Sequence, residues 1–161
     1  MPRIPNGMKP VVSGYSMDDP GGVMRTEVAG GAARYALDYD RGPQRFSVTL
    51  ILDAMEFSVW TAFYHHVIRK GTIAFDMQLD SGFGAQDHSV NIVPESYSAA
   101  RTSGIMTVVT FTAEAENKVY EMSASAGALL VDFYNAYGRG SSALLDRLAI
   151  FANSDTLVLD F

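Results

Sequence analysis

Apolar and polar positions alternate most cleanly in three stretches of the chain. In Arg45–Asp53 (RFSVTLILD), Phe46, Val48, Leu50 and Leu52 share one face, and Ser47, Thr49 and Ile51 share the other. The β-branched and aromatic content fits a strand with one buried side. Thr72–Asp80 (TIAFDMQLD) repeats the pattern, with Ile73, Phe75, Met77 and Leu79 on one side. Ile105–Glu116 (IMTVVTFTAEAE) ends in the alternation of Phe111, Ala113 and Ala115 against Thr110, Thr112, Glu114 and Glu116. Weaker strand signals lie at Val23–Val28, Tyr35–Tyr39 and His88–Tyr97. In the last of these, Pro94 marks an edge or an exit from the ladder. Asp40–Pro43 (DRGP), Ser81–Asp87 (SGFGAQD) and Ser98–Gly104 (SAARTSG) are expected to be turns or loops.

The period changes from two to 3.6 after Asp53. Phe57, Trp60, Phe63, Tyr64, Val67 and Ile68 recur at helical spacing. Asp53 is a good N-cap, and Glu56 three residues on completes a capping box. Arg69 and Lys70 suit the negative end of the helix dipole, and Gly71 is a natural stop. Phe57, Trp60, Phe63 and Val67 are therefore expected to pack this helix on the sheet. From Arg45 to Glu116 the order reads β–α–β–β–β.

Outside that stretch the character differs. Residues 1–22, rich in Pro, Gly and Asp, are expected to form an extended N-terminal arm, and residues 23–117 the core. Residues 118–161 are expected to be a helical extension. Ser125–Gly140 and Ser141–Ser154 are its two short helices, parted by Gly138 and Gly140, and TLVLDF is a final short strand. The fold class is thus α+β, one main helix packed on a sheet with a C-terminal helical appendage.

Composition narrows the functions. The chain has no cysteine, so disulfides, thiolate metal sites and thiol nucleophiles are excluded. No apolar run approaches the roughly 20 residues of a membrane span, and the first residues lack the apolar stretch of a secretory signal. The net charge is −6, and no basic run exceeds Arg69–Lys70, which argues against tight phosphate binding. His65 and His66 are adjacent, so on a helix they point about 100° apart and lack the i, i+4 spacing of a zinc pair. His88 would join them only through a fold contact. Asp76 with Asp80, and Glu114 with Glu116, are carboxylate pairs on polar strand faces, where solvated charge is the ordinary explanation. No nucleophile-elbow, phosphate-loop or dinucleotide fingerprint occurs. Neither a catalytic nor a cofactor site emerges, and the expectation from the residues is a structural or interaction protein without a cofactor.

A resemblance carries this further. Phe46, Val48 and Leu50 form an F-x-V-x-L strand. Trp60 and Phe63 sit on the helix, Gly71 closes it, and Phe75 opens the next strand. Phe111, Ala113, Glu114 and Glu116 form the closing F-x-A-E-x-E. This order resembles the minor tail proteins of long-tailed bacteriophages, the lambda-type minor tail protein M family, and behind it the tail-tube and distal-tail fold. It covers about residues 23–117, and the helices after Lys118 depart from it.

The resemblance implies a tail-tube-like β-sandwich or barrel. It also implies a structural virion protein in the phage tail that forms a ring, commonly hexameric, with copies of itself. That ring would join the tail tube protein to tail-tip hub proteins and leave a lumen for DNA. Distal tail ring, tail-tip adaptor, completion protein and head-proximal terminator all stay open. A small metal- or carboxylate-dependent enzyme is the competing reading. Under the ring reading, Asp76, Asp80, Glu114 and Glu116 are candidate lumen-facing acids, which would let DNA slide past without binding. His65 and His66 are candidates for a subunit contact, and the arm for clasping a neighbour.

Overall fold

The computed structural model describes residues 1–12, 14–102 and 104–150. In chain order the elements are β1 (Ser16–Met17), β2 (Val23–Thr26), β3 (Arg34–Leu37), β4 (Pro43–Leu52), α1 (Ala54–Ala62), β5 (Phe75–Asp80), β6 (Ala85–Ile92), β7 (Ser98–Arg101), β8 (Thr107–Glu116), α2 (Ala124–Tyr137) and α3 (Ser141–Ile150). The fold is mixed α/β, built on a curled antiparallel sheet that makes a half-barrel. The chain divides into two compact units, Met1–Tyr120 and a second that begins at Glu121.

The spine of the first unit is the ten-pair ladder of β4 with β8, from Pro43↔Glu116 to Leu52↔Thr107. β4 buries every second residue, as its alternation predicts. The strand order is β1-β4-β8-β6-β5. β7 pairs with the same edge of β8 that β6 uses, farther along it. Ser98–Arg101, expected as part of a turn, is therefore a strand. The expectation failed because its small residues are exposed on both faces and leave no alternation to read. Between β6 and β7 the Ser96 hydroxyl takes over part of the ladder: it donates to the Val93 carbonyl and accepts from Thr112 N–H. Pro94 sits in that bulge, where no ladder donor is required.

α1 begins as its residues dictate. Glu56 N–H donates to the Asp53 carboxylate at 2.7 Å, and the Glu56 carboxylate accepts from Asp53 N–H at 2.9 Å. Trp60 is fully buried and stacks on Phe111 of β8, with ring centres 5.5 Å apart. Phe63 meets Phe75 edge-on at 5.5 Å. Phe57 packs partly buried against the same core.

After Ala62 the helix widens into a π-turn, Phe63–Val67, in which Ile68 N–H donates to the Phe63 carbonyl at 3.0 Å. This corrects the expectation for Val67. In an α-helix the residue beneath Phe63 is four positions on; in a π-turn it is five on. Ile68 takes the buried place, and Val67 turns outward, 44% exposed. The chain leaves through three consecutive left-handed residues, Arg69 (φ +46°), Lys70 (φ +59°) and Gly71 (φ +88°). Gly71 is required for space as well: a Cβ there would lie 2.6 Å from the Ile92 Cβ. Ile73 follows this turn and is part exposed, so the strand begins at Phe75 rather than Thr72.

The N-terminal segment does not hang free. Ile4 N–H donates to the Asp76 carbonyl, and Asp76 N–H to the Pro2 carbonyl, on the outer edge of β5. Val11 N–H donates to the Thr49 carbonyl, and β1 pairs with β4, on the opposite free edge. Residues 2–11 thus run from one edge of the half-barrel to the other, and Ile4 and Met8 enter the core. The arm expected to clasp a neighbour is used on its own sheet.

The first unit ends at Tyr120 rather than at residue 117. Arg41 donates to the Tyr120 carbonyl, and Gly42 N–H to the Tyr120 hydroxyl. In the second unit Ser123 caps α2, accepting from Ala126 N–H. A three-residue turn, Gly138–Gly140, separates α2 from α3. The expected TLVLDF strand lies outside the described residues. Among the described residues no helix is long and apolar enough to cross a membrane.

Candidate functional site

β2 and β3 form a separate two-stranded sheet, and its two legs are closed at the base by Asp38 N–H and Tyr39 N–H donating to the Gly22 carbonyl. The pairing is Val23↔Leu37, Met24↔Ala36, Arg25↔Tyr35 and Thr26↔Arg34. Cross-strand partners share a face, so Val23, Leu37 and Tyr35 lie together on one side with Arg25. All eight strand residues are exposed, Tyr35 and Leu37 by more than two thirds. An isolated two-stranded hairpin is marginal in water, and this one sets its largest apolar side chains into solvent.

The second feature is the seam between the half-barrel's free edges. A groove of about 550 Å³ has apolar walls that include Val11, Val12, Met17 and Leu79, and Lys9, Tyr15, Gln78 and Asp80 are among its polar lining. The Tyr15 hydroxyl donates to the Asp80 carbonyl at 2.8 Å and accepts from Asp80 N–H at 3.0 Å. Burial, with the Asp80 carboxylate nearby, raises the Tyr15 phenol above its ordinary range, and the backbone bond partly offsets this. On the same edge the arm pairs with both backbone groups of Asp76. Strand period two turns those of Gln78 the same way, and among the described residues nothing pairs with them.

The four candidate acids lie on the sheet face opposite the core, but local partners occupy three of them. Glu114 pairs with Arg45 at 3.2 Å and Glu116 with Arg41 at 3.8 Å. The Asp80 carboxylate accepts from Gly82 and Gly84 N–H and shapes the loop. Asp76 serves the arm through its backbone. His65 and His66 are exposed on the π-turn, with the His65 ring edge-on to Tyr64 at 5.2 Å. Tyr64 stacks on Tyr97 at 4.3 Å, and burial, then the neighbouring Tyr97, raises its phenol.

His88 is far from that pair and buried in the core beside Phe46. Its Nδ1 faces the Gln86 carbonyl at 2.9 Å and its Nε2 the buried Ser81 hydroxyl at 3.1 Å. A carbonyl only accepts, so Nδ1 carries the proton, and in the neutral ring Nε2 accepts from Ser81. This is the polarity of a nucleophile and its base. The nearby loop amides of Gly82 and Gly84, however, are held by Asp80, and the pair works as a hydrogen-bonded pin between the loop and β6. Sequence reasoning missed it. The seven-residue spacing of Ser81 and His88 becomes a contact only when the hairpin of β5 and β6 folds them together. Among the described residues no group of three or more His, Asp or Glu is placed to hold a metal ion.

Two surfaces stand out, a protruding apolar hairpin and an apolar groove beside Gln78, whose backbone groups have no partner among the described residues. No protein-family model matches the chain, and no curated protein matches its sequence.

Proposed function

We propose that this chain is a structural protein of a bacteriophage tail, a ring-forming subunit at the tail tip that joins the tail tube to the tip and leaves a channel for DNA. The observation that carries the reading is the β2–β3 hairpin. A unit with a dense core of Phe46, Trp60, Phe75 and Phe111 nevertheless holds Val23, Tyr35 and Leu37 in solvent. Such a face is at home in an assembly, where a neighbour covers it. The tail-tube-like order of strand, capped aromatic helix and closing F-x-A-E-x-E supports the same reading.

Channel lining is the part that changes. Arg45 and Arg41 beside Glu114 and Glu116 reduce the negative field of that face. Repulsion of DNA would rest on the net charge of −6 more than on those four acids.

Mass photometry and negative-stain electron microscopy of the purified chain, alone and co-expressed with tail tube and hub proteins, test the proposal. Closed rings of one stoichiometry are expected. A strict monomer under all of these conditions overturns it.

A further inference from the structure

We propose that Asn6–Gly7 is a self-modification site in the N-terminal arm. Asn6 closes on the Gly7 nitrogen, loses ammonia and becomes aspartate or isoaspartate, and isoaspartate releases the arm from the half-barrel. Asn6 is the one asparagine in the chain that a glycine follows. Glycine has no Cβ, so nothing on Gly7 shields its nitrogen from the side chain before it. Both residues are exposed. They form a turn in which Gly7 has φ +89° and Met8 N–H donates to the Pro5 carbonyl at 3.3 Å. That bond is weak by its length, and it is the only main-chain bond the turn must open. Neither the Asn6 amide nor Gly7 N–H has a partner among the described residues. Other asparagines are tied: Asn91 Nδ2 donates to the Gly71 carbonyl and Asn117 Nδ2 to the Gln44 side chain, and Asn135 stands within α2.

The chemistry needs water and no oxidant. The Gly7 nitrogen attacks Asn6 Cγ, the N–Cγ bond forms and the Cγ–Nδ2 bond breaks. Nδ2 leaves as ammonia, taking up the proton that the Gly7 nitrogen gave up. One water then opens the five-membered imide. Breaking the new N–Cγ bond gives aspartate; breaking the original peptide bond gives isoaspartate, whose main chain runs through Cβ and Cγ. Arg3 and Lys9 line the same surface cavity as Asn6 and Gly7. Arg3 is paired with Asp87, and Lys9 has no ion-pair partner among the described residues. Positive charge beside the turn favours the anionic nitrogen and the oxyanion that follows it.

The position gives the change its consequence. Ile4 before the turn is buried with its N–H on the Asp76 carbonyl, and Met8 after it is buried as well. Isoaspartate inserts one main-chain atom between these two anchors. They no longer fit together, so the first residues leave the outer edge of β5 and free both backbone groups of Asp76.

The test ages the purified chain in mildly alkaline buffer. Peptide mapping with electron-capture fragmentation separates isoaspartate from aspartate. Asn6 is expected to deamidate about tenfold or more faster than Asn91, Asn117 or Asn135. In the isoaspartate fraction, Ile4 and Asp76 amides are expected to exchange faster than in the unaged chain. Asn6→Gln is expected to keep its arm docked through the same ageing. Fresh Asn6→Asp, which adds the charge without the extra atom, is expected to keep it docked too.

An Asn6 that deamidates no faster than those three asparagines overturns the site. Isoaspartate with unchanged exchange at Ile4 and Asp76 overturns the release, as does an equally loose arm in fresh Asn6→Asp. Each readout belongs to one chain, so these failures leave the ring reading standing.

Discussion

β4 with β8, and β2 with β3, are antiparallel pairs in one compact unit; the first alternates cleanly in sequence and the second only weakly. In the first, every second side chain of β4 is buried, and Phe46, Val48, Leu50 and Leu52 lie with Phe111 of the neighbouring strand in the core that Trp60 also enters. In the second, all residues of both strands are exposed. Alternation states that a strand has an apolar side; it does not state what lies against that side. The ladder meets its partner within the chain; under the ring reading, the hairpin meets one on a neighbour.

The largest effect should come from removing the pin of the first pair. Trp60→Ala leaves a cavity under α1 and is expected to lower stability by about 3–5 kcal/mol, a large share of the 5–15 kcal/mol typical of a small protein. Urea unfolding measures it, and a loss below about 1 kcal/mol would show that α1 is held some other way. Next comes the π-turn. Ile68→Ala is expected to lower stability by about 2–5 kcal/mol and Val67→Ala by about 0.5 kcal/mol or less. Equal losses would return the helix to an unbroken α register.

Glycine sharpens the same contrast. Gly71 and Gly30 both have positive φ, but an added Cβ at Gly30 in the hairpin turn meets nothing within 4 Å. Gly30→Ala should lower stability by about 1–2 kcal/mol from backbone strain alone. Gly71→Ala should add about 1–3 kcal/mol for overpacking against Ile92. If the two losses are equal, the close approach of Gly71 to β6 is not rigid.

What could be read ahead of the structure divides along the same line. The capping box at Asp53 and Glu56, the buried rows of β4 and β8, and Trp60 and Phe63 under the helix are local patterns with local causes, and these were legible. Val67 was misplaced because one widened turn shifts the register by a residue without changing the composition that suggests it. β7 was missed because Ser98–Arg101 has no buried face. The groove, the docked arm and the Ser81–His88 pin are made by β1 and β5 lying at opposite edges and by β5 folding on β6. Contacts of that kind have no period along the chain. Of the candidate residues, the helix anchors were visible as a pattern, whereas the hairpin face became notable only once its burial was known.

A smaller effect concerns the arm that bridges the seam. The Tyr15 phenol must be protonated to donate to the Asp80 carbonyl. Its folded value is raised above the ordinary 10.0, so its contribution is fully present below about pH 10 and is lost as pH rises through the folded value. In an ultraviolet titration, Tyr15 and Tyr64 should ionise late. Tyr15→Phe should remove its share of the late signal and lower stability by about 1 kcal/mol. It should also speed proteolysis of the first residues. An unchanged titration would place the phenol in open water.

The smallest change in stability should come from the most apolar part of the hairpin, and it decides the comparison. Tyr35→Ser removes a large side chain that touches solvent over 69% of its surface. The stability of the isolated chain should therefore shift by no more than about 0.5 kcal/mol. Hydrogen exchange supplies the complementary reading: amides of β2 and β3 should exchange far faster than those of β4 and β8 in the monomer, since few buried contacts hold them closed. In the assembled state the hairpin amides should become protected, and Tyr35→Ser should weaken that protection while leaving the monomer's pattern unchanged. A loss of stability comparable to that of a core truncation would mean that Tyr35 is packed against its own chain, and the contrast between the two strand pairs would then disappear.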